Sequence, residues 1–249
     1  MPSKTRHGAD APLSRKRTAL ITAGIMLSLF LASMESTVVS TAMPTIVSKL
    51  GGLSIYSWAF AAYMITSTTA TPIYGKLSDV FGRRRVYLTG MALFLLGSLL
   101  CGTATSMELL VLFRAVQGIG AGGLMALAFI MVGDMFSVEQ RARIQGLFSG
   151  VWGVSSIVGP LIGGFIVDQI DWPWVFFLNI VPGLVAAAIV GAAWRDRARP
   201  AGRRSIDFAG AGLLTSLTVM LLLGLEWFGQ PAGWLLLAGA AVCGMLLVI

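Results

Sequence analysis

Two residues stand where charge is expensive. Glu35 lies about 17 residues into an apolar run, and Arg114 about six residues, or ~9 Å, from the start of another. A charged side chain in hydrocarbon costs at least ~2.5–3.5 kcal/mol and usually marks a pathway or relay. The two depths are similar, so an acid and a guanidinium can meet. Gln117 follows Arg114 by one helical turn. Out of water a carboxyl group favours its protonated form, and a neighbouring Arg favours the ionised one. A carboxylate that alternates between a proton, a cationic substrate and Arg114 would perform exchange chemistry. Two plainer readings stay open: a buried structural ion pair, and an Arg114 that snorkels outward.

Other chemistry has little material. The one histidine, His7, sits in the polar tail, and Cys101 and Cys243 both lie in apolar runs. No metal site, disulfide framework, phosphate loop or nucleophile elbow is legible, so an enzyme is not expected.

The elements that must position Glu35 and Arg114 follow from composition. Of 249 residues, 56% are apolar and 12% charged, and mean hydropathy is +0.83. A soluble domain carries roughly 25% charged residues. The expected fold is an all-α membrane protein. Runs long enough to span a bilayer at ~20 residues each cover 18–46, 56–75, 86–105, 108–132, 144–168, 173–194, 207–229 and 233–249. They are continuous, without the period-two alternation of barrel strands.

Charge sets the orientation. Of the 18 Lys and Arg, sixteen fall on one side of these spans. They are Lys4, Arg6, Arg15, Lys16 and Arg17 in the tail, Lys76 and Arg83 to Arg85 after the second span, Arg141 and Arg143 after the fourth, and Arg195, Arg197, Arg199, Arg203 and Arg204 after the sixth. Lys49 is on the other side. Cytoplasmic loops collect Lys and Arg, so a cytoplasmic N-terminus in a cell membrane is expected. Short basic loops between apolar spans do not make a nucleic-acid surface, despite the net charge of +7. The tail lacks a cleavage site and is read as retained. Apolar sequence runs to Ile249, so truncation inside or just after the eighth span is expected.

Five segments carry a pattern. Gly75-Lys76-Leu77-Ser78-Asp79-Val80-Phe81-Gly82-Arg83-Arg84-Arg85 reads as a tight cytoplasmic turn, with Gly75 and Gly82 allowing close approach or unusual dihedrals. Arg114-Ala115-Val116-Gln117-Gly118-Ile119-Gly120-Ala121 lies in the fourth span. The fifth holds Gly153 and Gly159-Pro160-Leu161-Ile162-Gly163-Gly164, the first Glu35-Ser36-Thr37-Val38-Val39-Ser40-Thr41-Ala42-Met43-Pro44, and the sixth opens with Trp172-Pro173-Trp174-Val175-Phe176-Phe177-Leu178-Asn179-Ile180-Val181-Pro182-Gly183. In order and spacing these resemble the signature motifs of the major facilitator superfamily, and the first-span stretch resembles its drug–proton antiporters; with the short loop from Arg195 to about Ile206 and the helix pair joined at Gln230-Pro231-Ala232-Gly233, the chain resembles their fourteen-helix branch. Departures are Val80 where a basic residue is common, Glu35 for Asp, Met43 for Leu and Pro173 for Arg.

The resemblance implies a six-helix N-terminal bundle of two inverted three-helix repeats plus two additional helices. On this chain that gives a basic tail at 1–17, the bundle at 18–194, a basic loop at 195–206 and a truncated helix pair at 207–249. It implies proton-coupled efflux of amphipathic or cationic drug-like molecules, powered by a proton gradient with no cofactor. The partners implied are substrate, protons, the bilayer and a C-terminal bundle. Arg114 would face the central cavity and couple proton to substrate movement with Glu35 and Gln117. Gly75, Asp79, Gly82, Arg83 and Arg84 would form the conformational loop, with Arg141 and Arg143 able to pair with Asp79 as an inner latch. Gly153, Gly159, Pro160, Gly163 and Gly164 would make the antiporter helix a packed, bendable gasket. Solvated charges and an ordinary packed glycine face are the plainer alternatives for these two sets. Other readings of the whole are a dedicated metabolite exporter or importer on the same scaffold, and a non-transporting membrane subunit. Glu226, Trp227 and Trp234 are read as interfacial.

Overall fold

A computed structural model describes residues 14–196 and 208–248; the rest of the basic tail and most of the loop at 195–206 lie outside the described residues. Among the described residues there are helices and no strands: α1 (Arg15–Leu50), α2 (Ser57–Phe81), α3 (Arg83–Gly102), α4 (Met107–Met135), α5 (Val138–Gln169), α6 (Trp174–Phe177), α7 (Ile180–Ala193), α8 (Phe208–Glu226) and α9 (Pro231–Val248).

Local chemistry fixes most boundaries. Ser14 caps α1 by accepting from the Arg17 backbone N–H, Ser106 caps α4 through Leu109, and Ser137 with Gln140 forms a capping box on α5. Gly51 and Gly52, at φ of +71° and +74°, turn the chain out of α1. Pro231 opens α9, where its missing N–H is harmless.

Two expectations are corrected. The segment from Gly75 to Arg85 is not a loop: α2 runs on through Phe81, α3 starts at Arg83, and only Gly82 at φ +91° interrupts them. Asp79 near the end of α2 and Arg83 at the start of α3 pair at 2.8 Å across that break. The sixth span is broken at Leu178 and Asn179, because Pro182 has no N–H to give the Leu178 carbonyl. Among the described residues, five stretches are long and apolar enough to cross a membrane by length and composition alone: α1, α3, α4, α5 and Trp174–Ala193. At 25 residues α2 is long enough, but it carries Thr66, Ser67, Thr68, Thr69, Thr71 and Ser78. Only shorter apolar stretches are described in α8 and α9, Gly212–Glu226 and Pro231–Leu247.

Packing repeats with inversion. α1 lies against α5 and α7, and α4 lies against α2 and α3, so the first helix of each three-helix unit packs on the last two of the other. The α8–α9 hairpin joins the bundle through α2, and Trp227 meets Trp58 edge-on at 6.3 Å. The buried core forms two apolar clusters. In α1, Leu31 and Val38 of the two clusters flank Glu35; in α3, Phe94 and Cys101 flank Ser98; in α4, Leu110 and Ala121 flank Arg114 and Gln117. A polar layer therefore divides the core.

Candidate functional site: a buried ion pair between the two central helices

Glu35 on α1 and Arg114 on α4 meet in that layer. The Arg114 Nη1 donates to Glu35 Oε1 at 2.7 Å and to Gln117 Oε1 at 2.7 Å, and its Nε donates to the Ala59 carbonyl of α2 at 3.2 Å. The guanidinium carbon lies 4.1 Å from the ring centroid of Tyr63, a cation–π distance. On the far side, Asn179 Nδ2 donates to Glu35 Oε2 at 2.5 Å and to Ser98 Oγ at 2.9 Å. Ser98 also accepts from Gln117 Nε2 at 3.2 Å and donates to the Phe176 carbonyl at 2.8 Å. One donor and two acceptor sites exhaust a hydroxyl, so Ser98 is the knot of the network.

Both sixth-span groups of the network come from the segment around the α6–α7 break, and the Phe176 carbonyl accepts the Asn179 backbone N–H at 3.2 Å as well as the Ser98 hydroxyl. Gly97 lets α3 approach α4: a Cβ there would collide with the Gln117 backbone.

Glu35 and Arg114 are each 1% exposed. The expected face toward a central cavity is therefore corrected. In this conformation the pair is sealed inside the six-helix unit by α1, α2, α3, α4 and the α6–α7 break.

At the basic end Arg83 is the anchor. It bridges Asp79 at 2.8 Å and Asp134 at 3.1 Å, and its Nη1 donates to Ser78. Asp196, beyond α7, accepts from the backbone N–H of Arg83 at 2.8 Å and of Arg84 at 3.2 Å, capping α3 from a distant part of the chain. The Gly82 α-carbon faces that carboxylate, with no room for a Cβ. Gly75 packs mid-helix within reach of Ile130. The Asp79 latch is corrected for this conformation. Arg141 caps α4 instead, donating to the Phe136 carbonyl at 3.0 Å and the Gly133 carbonyl at 2.5 Å, while Arg143 is exposed.

On α5, Gly159 and Gly163 press against Thr37 and Val38 of α1, whereas a Cβ at Gly153 or Gly164 would meet nothing within 4 Å. Pro160 is exposed among them. Ser155 joins the α1 contact by accepting from Ser33 at 2.6 Å.

Sequence reasoning missed Ser98, Tyr63, Asn179, Asp134 and Asp196 as functional groups. Asn179 had a signal, an amide inside an apolar run. The others had none in the chain alone.

Comparison with known proteins decides the family. Residues 25–249 match the profile of the Major Facilitator Superfamily. The chain belongs to that superfamily. This places it in a transporter family and not an enzyme family, and in a membrane. It is 44% identical over 219 residues to the multidrug transporter protein MdtP of Bacillus subtilis (strain 168), covering 88% of this chain and 40% of the relative. It is 39% identical over 217 residues to multidrug resistance protein 3 of the same organism, covering 87% and 42%. The chain thus spans about two fifths of the length of these relatives. Among solved structures, the human organic anion transporter MFSD10 matches with a TM-score of 0.64 at 18% identity, over 86% of this chain and 57% of that one. The POT family transporter PepTSo matches with 0.66 at 16% identity, over 95% and 52%. These two support the superfamily fold alone.

Proposed function

We propose that this chain forms the N-terminal part of a proton-coupled exporter that moves amphipathic or cationic drug-like molecules out across the cell membrane. It would have fourteen spans and a cytoplasmic N-terminus. The relatives named as multidrug transporters support the substrate class. The observation that carries the coupling is the sealed Glu35–Arg114 pair, which joins the two central helices at 2.7 Å.

The mechanism follows from what a proton does there. With Glu35 ionised, Arg114 and Asn179 both hold it, and α1 is tied to α4 and to the sixth-span break. A proton on Glu35 cancels the charge that holds Arg114. The guanidinium then keeps Gln117, the Ala59 carbonyl and Tyr63, all on α2 and α4, while its hold on α1 falls from an ion pair to a neutral hydrogen bond. Inverted repeats rocking around a midplane site give alternating access, so a link that a proton can loosen is a coupling device. The second bundle of the full protein, packed against the open α5 face of Gly153 and Gly164, would complete the substrate path. The energy source is the proton gradient.

The test is dye efflux from vesicles holding the full-length protein under an imposed proton gradient. Wild type should lose efflux when the gradient is collapsed. Glu35→Gln should lose gradient-driven efflux. Gradient-driven efflux at the wild-type rate in Glu35→Gln would overturn the proposal.

A further inference from the structure

A groove of about 740 Å³ runs along the outside of the bundle between α2, α3 and α8. None of the side chains in the Glu35–Arg114 network that come from α1, α3 or α6–α7 lines it. One wall is α2, from Ile65 through Ile73 to Phe81, a rise of about 24 Å along the helix. Val219 faces it from α8. Arg85 lines it at the basic end, beside Phe81. Arg83, two residues earlier, is held by Asp79 and Asp134, but Arg85 has no acidic partner among the described residues. Phe81 is 55% exposed, so the groove is open to its surroundings.

We propose that this groove binds one anionic phospholipid from the leaflet on the basic side, with an acyl chain along α2 and the phosphate on Arg85. Length fits: one leaflet contributes about 15 Å of hydrocarbon, half of a ~30 Å core. Charge fits: a basic group at the membrane surface attracts anionic lipid, by about 1 kcal/mol per Lys or Arg. The placement gives the lipid a task. The α8–α9 pair joins the bundle through α2, and a chain in the groove fills the space that this one-helix junction leaves between α8 and α3.

The test uses the full-length protein, extracted with a mixture of phosphatidylglycerol and phosphatidylcholine, stripped by detergent washing and weighed by native mass spectrometry. One retained phosphatidylglycerol per chain is expected, in preference to phosphatidylcholine. Ile73→Trp should lower retention about tenfold, the equivalent of roughly two methylenes kept out of the groove. Arg85→Gln should lower it about fivefold and erase the preference for phosphatidylglycerol, the worth of one surface cation. Lys16→Gln, which removes an exposed charge at the same end away from the groove, should leave retention unchanged. If Ile73→Trp does not fold, Val219→Trp narrows the groove from α8 with the same expectation. Retention unaffected by the groove-filling and Arg85 variants, or lowered as much by Lys16→Gln, would overturn the proposal.

Discussion

Arg114 is held by planar geometry as much as by charge: its Nε and Nη1 reach three acceptors on three helices. A lysine offers a point charge and no fork. Removing one partner of a buried pair leaves the other uncompensated, at a cost of about 3–5 kcal/mol. Arg114→Leu should therefore lower the thermal midpoint far more than Glu35→Gln, which leaves a neutral group that can still accept from Arg114. In a double-mutant cycle, Arg114→Leu with Glu35→Gln should cost less than the two singles added. Additive losses in thermal melts would show that the pair is not energetically coupled. Both residues were legible in the sequence because each is a charge in an apolar run. Ser98 and Tyr63 were not, since such residues occur throughout apolar spans and gain meaning only from a neighbour. Asp196 was illegible for a further reason. It caps α3 across 113 positions of sequence, and a cap at that range leaves no local pattern. Asp196→Ala should destabilise the basic end by about 1 kcal/mol, read as faster amide exchange at the start of α3.

Elements were legible where hydrophobic length decides, and misread where polar chemistry sits inside a helix. The charges of Lys76 to Arg85 suggested a loop, whereas only Gly82 lies outside the two helices. The break in the sixth span is encoded by Pro182, three residues after Asn179. The glycines divide by packing rather than by motif. A Cβ on Gly120 would collide with the Phe94 backbone of α3, whereas one on Gly153 meets nothing within 4 Å. Gly120→Ala should cost about 1–3 kcal/mol through overpacking, and Gly153→Ala should stay within about 0.5 kcal/mol. Chemical-denaturant or thermal melts of the two variants side by side check this. If Gly153 faces the second bundle, its alanine variant should lose efflux at unchanged stability.

For the molecule as a whole, charge asymmetry and inverted packing agree on one architecture. Most described basic residues gather at the end where α1 begins, α2 meets α3 and α7 finishes, and Lys49 is at the opposite end. With cysteine replacing Lys16 or Lys49 in a background lacking Cys101 and Cys243, an impermeant thiol reagent outside intact cells should label position 49 and spare position 16. The reverse would invert the topology. That the chain belongs to the major facilitator superfamily was legible from motif order. The sealing of the ion pair was not, because burial of 1% at both groups depends on five helical segments closing around them. The central claim is that Glu35 carries the proton that exchange requires. Addition of a cationic substrate to the full-length protein in weakly buffered detergent solution should release protons, and the Glu35→Gln variant should release none while remaining folded. Equal proton release by wild type and variant would contradict the account.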